Sequence, residues 1–114
     1  MNDDAKNNNE KSRISKSPDD KFTREIMALL LKQIPEDMNL IESSYKVKDW
    51  AKLTFYVHKL HGALCYTQFN QAKTAAMRLE NMLREKKRNL SKIADSYQLF
   101  QTEIRAIMNA ESSK

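Results

Sequence analysis

The sequence predicts an all-α protein, folded as an up-and-down four-helix bundle with a short additional helix on its N-terminal side. Residues that favour helices are plentiful, whereas the 114 residues include one Gly and two Pro. Strand-rich folds need many tight turns, and turns usually use glycine. Apolar residues also recur at three- and four-residue spacing in successive segments joined by short polar stretches, which is typical of helices packed around one core.

The chain divides into a polar segment and one helical domain. Residues 1–17 are rich in Asn, Asp, Lys and Ser and nearly lack large apolar side chains, so we expect a flexible tail. Residues 18–112 are expected to form the bundle domain, because a chain of this length has little room for a second domain.

A proline separates the first two predicted helices. Ser17 is placed as the N-cap and Pro18 as the first residue of a short helix that runs to about residue 33. Because proline lacks an amide hydrogen and clashes with the preceding turn, Pro35 is expected to end that helix and to begin a second, which runs to about residue 45. The expected apolar stripes of these two helices are Phe22, Ile26, Leu29 and Leu30, and then Met38, Ile41 and Tyr45.

Three longer helices follow. Asp49 can cap one from Trp50 to about residue 66, Asn70 can cap one from Gln71 to about residue 87, and the last spans about residues 90–110. Their expected buried stripes are Leu53, Val57, Leu60 and Leu64; then Ala72, Ala75, Ala76, Leu79, Met82 and Leu83; and finally Ile93, Tyr97, Phe100, Ile104, Ile107 and Met108.

Charge and composition limit the possible partners. The formal net charge of +5 favours an acidic partner surface or a phosphate. The basic run at residues 84–88 is interpreted as a solvated helix end rather than a nucleic-acid site, because basic side chains complement the helix dipole there. No apolar run is long enough to span a bilayer, so we expect no membrane contact. The single Cys65 is compatible with a reducing cytoplasm, and we expect a cytoplasmic monomer.

The third helix contains the candidate chemistry. On a helical wheel His58 lies roughly 140° from Leu53, off the core stripe, with His61, Gly62 and Cys65 on its side. A glycine inside a helix costs about 1 kcal/mol relative to alanine, so its presence suggests that a partner approaches the backbone closely. An exposed imidazole is mostly neutral near pH 7 and has a free ring nitrogen. His58 is therefore a candidate nucleophile for phosphoryl transfer.

The sequence around His58 lacks the metal ligands and the nucleotide-binding loop that a kinase needs. Lys59 and His61 could supply positive charge to a phosphoryl group. No carboxylate cluster suited to Mg²⁺ lies near His58 in the sequence, so a partner would have to bring the metal, and this chain would need no cofactor of its own. With one glycine, the glycine-rich loops that hold nucleotide phosphates are excluded. We expect no independent kinase or ATP-binding activity.

Residues 58–66, His-Lys-Leu-His-Gly-Ala-Leu-Cys-Tyr, resemble the motif of histidine-containing phosphotransfer (HPt) domains. They are most similar to the C-terminal HPt domain of BarA-like tripartite hybrid sensor histidine kinases, and the resemblance in helix order covers about residues 20–110. It implies that His58 accepts a phosphoryl group from a receiver-domain aspartate and passes it to another receiver, either as a free-standing protein or within a hybrid kinase. It also implies that His61 takes the family's basic position and Gly62 its open glycine. Gln68 departs from the pattern, which usually has glycine there.

Two other functions remain open at this point. His58, His61 and Cys65 lie on one helix face at spacings that could supply zinc ligands, with a carboxylate or water as the fourth. Alternatively, the chain could be a structural adaptor bundle in which His58 is an ordinary surface residue.

Overall fold

The computed structural model describes residues 21–112, with side chains described as far as residue 110, and this part of the chain forms four helices. They are α1 (Lys21–Lys46), α2 (Trp50–Leu64), α3 (Asn70–Arg84) and α4 (Leu90–Ser112). Each packs on the next, and α4 also contacts α1. The predicted all-α up-and-down bundle is confirmed. None of the described helices is long and apolar enough to cross a membrane. The tail predicted for residues 1–17 and the start predicted at Ser17 and Pro18 lie outside the described residues.

The prediction of a separate short N-terminal helix is wrong for the described residues, because α1 continues through Pro35. Leu30 and Ile34 before the proline, and Met38 and Ile41 after it, are all buried along one stripe. A proline inside a helix costs about 3 kcal/mol. Burying each of these large apolar side chains contributes about 1.5–3 kcal/mol, so continuous packing outweighs that cost.

The apolar stripe predicted for the start of α1 is wrong in part. Leu30 is buried, but Ile26 is only partly buried, Phe22 is half exposed and Leu29 is 68% exposed. Successive residues of a helix differ by about 100° in direction, so a face that buries Leu30 and Ile34 turns Leu29 outward.

The core positions of α2 and α4 agree with the predictions, except that Met108 of α4 is only partly buried. Leu53, Val57, Leu60 and Leu64 are fully buried in α2. In α4 the buried apolar residues are Ile93, Tyr97, Phe100, Ile104 and Ile107. The carboxylate of Asp49 accepts a hydrogen bond from the Lys52 amide at 3.1 Å, which is the predicted N-cap of α2.

The boundaries of α3 differ from the prediction. Asn70 is already helical, and Phe69 stands at the cap position without a side-chain cap hydrogen bond. The buried Thr67 hydroxyl accepts a hydrogen bond from the Phe69 amide at 3.1 Å, so the preceding turn is closed by Thr67 rather than by Asn70. The helix ends at Arg84, three residues before the predicted end.

Candidate functional site

His58 lies on the outer face of α2. The Asp49 cap fixes the start of this helix, and burial of Leu53, Val57, Leu60 and Leu64 fixes the face that points inward. The His58 side chain is consequently 62% exposed. An imidazole in this position is accessible to another protein.

Glu80 of α3 joins both histidines of α2. Its Oε2 atom lies 2.7 Å from Nδ1 of His58, and its Oε1 atom lies 3.3 Å from Nδ1 of His61. Arg84, one turn further along α3, donates from Nε to Glu80 Oε2 at 2.9 Å. The Glu80 side chain is only 10% exposed, so the carboxylate is held between two helices and three donors.

The charge of Glu80 determines the state of the His58 ring. Burial raises the pKa of this carboxyl, but hydrogen bonds from Arg84, His58 and His61 outweigh burial and hold the pKa below its ordinary value. Because an ionised carboxylate can only accept hydrogen bonds, Nδ1 of His58 must carry the hydrogen. In its neutral form the ring then has its lone pair on Nε2.

Lys59 is held on the other side of α2. Its Nζ atom lies 3.5 Å from Oδ1 of Asp37 in α1, and Nε2 of Gln33 lies 3.5 Å from the same oxygen. Asp37 is buried, whereas the Lys59 side chain is about half exposed. The structure thus brings His58 and His61 together through Glu80, and it pairs Lys59 with α1 instead.

Gly62 borders open space. A Cβ atom built on this residue meets nothing within 4 Å, so no packing inside the protein requires glycine here. One turn before His58, the Phe55 ring is 62% exposed. The outer face of α2 therefore presents an imidazole between an exposed aromatic ring and bare backbone.

The zinc alternative is not favoured by this geometry. Within the described residues, no group of three or more His, Cys, Asp or Glu side chains is placed to hold a metal ion. Both His58 and His61 direct Nδ1 to Glu80. Cys65 is an exposed free thiol just beyond the end of α2.

Sequence reasoning missed Glu80, Arg84 as its partner, and Asp37. The sequence holds one signal for Glu80: it lies four residues after Ala76 and three before Leu83, so a carboxylate interrupts an apolar stripe. Acidic residues are rarely buried without a partner, and Arg84 stands four residues later. The hydrogen bond between Glu80 and His58 could not be predicted in this way, because it depends on how α2 packs on α3.

In a comparison with protein families, the model described as "Hpt domain" matches residues 25–110. Comparison with curated proteins and with solved structures gave no match. The matched region spans most of the chain and includes His58, Glu80 and all of α2 and α3. The chain therefore belongs to the Hpt (histidine-containing phosphotransfer) domain family, whose members take part in phosphorelays.

Proposed function

We propose that His58 accepts a phosphoryl group from an aspartyl phosphate of one receiver domain and passes it to the aspartate of another. The observation that supports this proposal best is the orientation of an exposed imidazole by a buried carboxylate. Glu80 accepts from Nδ1 of His58 at 2.7 Å, which leaves the Nε2 lone pair available to an incoming phosphorus atom.

The transfer step follows from this arrangement. Nε2 of His58 attacks phosphorus, the P–O bond to the receiver's aspartate breaks, and the aspartate leaves as a carboxylate. The new N–P bond makes the ring cationic. The N–H group at Nδ1 still donates its hydrogen bond to the Glu80 carboxylate, whose negative charge stabilises the cationic ring. Transfer to a second receiver is the same step in reverse. Mg²⁺ belongs to the receiver in this proposal, and the chain itself uses no ATP.

We assign supporting roles to three neighbours of His58. His61 and Lys59 lie on opposite flanks of the α2 face, hydrogen-bonded to Glu80 and Asp37 respectively. The Lys59 ammonium, and the His61 ring when both of its nitrogens carry hydrogen, would attract the phosphoryl oxygens. Gly62 would allow the receiver to approach the backbone, since nothing lies within 4 Å of a built Cβ atom.

The wider context is also proposed. Residues 18–112 would act as one cytoplasmic, monomeric phosphotransfer domain, either on its own or within a hybrid sensor kinase of the BarA-like type that the motif at residues 58–66 resembles. The proposed partners are receiver domains, with no nucleic acid or membrane contact.

The test is phosphotransfer from purified, phosphorylated receiver domains of the source organism. The wild-type protein should acquire an acid-labile, base-stable phosphate, and His58→Gln should acquire none. His61→Gln is the matched control, because it removes the other histidine bonded to Glu80 and should still be labelled at His58.

Equal labelling of His58→Gln and wild type would refute the assignment. Partner binding that does not change with His58→Gln, together with no labelling of the wild type by any receiver, would support a structural adaptor.

A further inference from the structure

One end of the bundle concentrates the positive charge of the protein. The α1–α2 and α3–α4 connections meet there, and we define the basic end as residues 46–52 and 85–92. Arg88 of the second connection lies over the Trp50 ring at the start of α2, 5.7 Å from its centroid. The two connections therefore form one continuous surface.

The basic end accounts for the entire net charge. It contains seven basic and two acidic side chains, and the acidic ones are Asp49 and Glu85. Its net charge is therefore +5, the same as that of the whole chain. The remaining residues contain thirteen basic and thirteen acidic side chains. The basic residues, all exposed, are Lys46, Lys48, Lys52, Lys86, Lys87, Arg88 and Lys92.

Local contacts hold part of this charge in place. Lys48 adopts a left-handed conformation with φ of 59°, and its Nζ atom lies 4.2 Å from the centroid of the Tyr45 ring. Arg88 donates from Nε to the Leu83 carbonyl at 3.1 Å, near the end of α3. Such cation–π and carbonyl contacts restrict long side chains that would otherwise sample many rotamers.

The basic end lies close to the proposed phosphorylation site. From Trp50 to His58 the distance along the helix axis is about 12 Å at 1.5 Å per residue. A domain of about 100–150 residues has a radius of gyration of roughly 13–15 Å. A receiver of this size bound at His58 is therefore large enough to contact the basic end as well.

We propose that the basic end binds an acidic patch on the receiver surface, outside the receiver's phosphorylation pocket, and accelerates its docking onto His58. This proposal rests on the phosphotransfer function proposed above. A protein partner fits better than nucleic acid, because the charge is confined to two short connections and the helix ends that flank them, instead of extending along a groove or a whole helix. Charges of this kind raise the association rate and are screened by salt.

The experiment compares two charge-reversed variants in phosphotransfer from a receiver that labels the wild type. Lys86→Glu/Lys87→Glu changes exposed residues between α3 and α4, and Lys32→Glu/Arg78→Glu reverses two exposed basic residues outside the basic end. At low salt the first variant should reduce the second-order transfer rate by about tenfold or more. The second variant should leave it nearly unchanged.

Varying the salt concentration and the receiver concentration distinguishes an effect on docking from an effect on the transfer step. The difference between wild type and Lys86→Glu/Lys87→Glu should disappear as ionic strength rises from about 0.01 M to about 1 M, where the Debye length falls from about 30 Å to about 3 Å. The transfer rate at saturating receiver should be unchanged. Reversing acidic residues on the receiver to lysine should restore transfer to the variant.

Several results would overturn the proposal. One is equal low-salt transfer by wild type and Lys86→Glu/Lys87→Glu; another is an equal loss in the control variant. Binding of a DNA duplex, an RNA strand or phosphatidylserine vesicles that needs Lys86 and Lys87, with receiver transfer unchanged, would assign the basic end to that partner instead. If the wild type accepts no phosphate from any receiver, the phosphotransfer function itself fails, which is a distinct outcome.

Discussion

The carboxylate of Glu80 lies 2.7 Å from Nδ1 of His58, and the two side chains differ sharply in exposure, 10% against 62%. α3 therefore supplies a fixed, charged acceptor to a ring that solvent and partners can reach. A hydrogen bond from Nδ1 to a carboxylate selects one tautomer and restricts rotation of the ring. Nε2 of His58, the nitrogen proposed to accept the phosphoryl group, is therefore oriented before any partner arrives.

Removing this acceptor should slow transfer. Glu80→Ala leaves Nδ1 without its partner, and a hydrogen bond to a charged group contributes about 1.5 kcal/mol at the low end of its range, so we expect about tenfold slower transfer at saturating receiver. Glu80→Gln keeps an oxygen acceptor and should fall between Ala and wild type. Rates are measured by single-turnover phosphotransfer, with Glu103→Ala of α4 as control. Unchanged transfer in Glu80→Ala would show that the hydrogen bond does not orient His58.

The same carboxylate predicts how stability depends on pH. The pKa of Glu80 is lowered in the folded protein, so folding favours its ionised form. This contribution is complete above the unfolded value, near 4.5, and is lost as the pH falls through the lower folded value. Urea unfolding at several pH values should show wild type more stable than Glu80→Gln near neutral pH, with the difference shrinking in acid. A difference that grows in acid would contradict the lowered pKa.

Two substitutions at Gly62 should distinguish an effect on stability from an effect on partner access. Because a built Cβ atom meets nothing within 4 Å, Gly62→Ala should raise the free energy of unfolding by up to about 1 kcal/mol and leave transfer intact. Gly62→Leu should also fold, yet slow transfer by obstructing the receiver. Thermal unfolding and transfer rates are measured together, with Ala94→Leu on the exposed face of α4 as control. Transfer by Gly62→Leu at the wild-type rate would remove the access argument.

Local sequence rules predicted α2 well and its surroundings poorly. The cap at Asp49 and the buried stripe from Leu53 to Leu64 depend on spacing within one helix, so the outward face of His58 could be inferred from them. Glu80 lies 22 residues after His58, and their contact depends on the register between two helices. That register arises from packing of the whole core, which no local pattern specifies.

At Pro35 a local rule gave a wrong prediction, because packing of the whole core overrode it. Proline opposes a helix interior through its own backbone, and this rule predicted a break in α1. The buried stripe on both sides of Pro35 instead holds the helix together. The cost of the proline can be predicted from residue 35 alone, but the packing that outweighs this cost cannot.

Replacing Pro35 should therefore stabilise the protein. In α1 the exposed Pro35 has no amide to donate to the Leu31 carbonyl, and alanine would restore this hydrogen bond without filling any core space. Proline is about 3 kcal/mol less favourable than alanine inside a helix, while its rigidity in the unfolded chain offsets about 1 kcal/mol, so we expect Pro35→Ala to gain about 1–2 kcal/mol. Urea unfolding followed by circular dichroism measures this, with the neighbouring exposed Glu36→Ala as control. A loss of stability in Pro35→Ala, with Glu36→Ala unchanged, would show that the core packs around the backbone geometry that proline imposes.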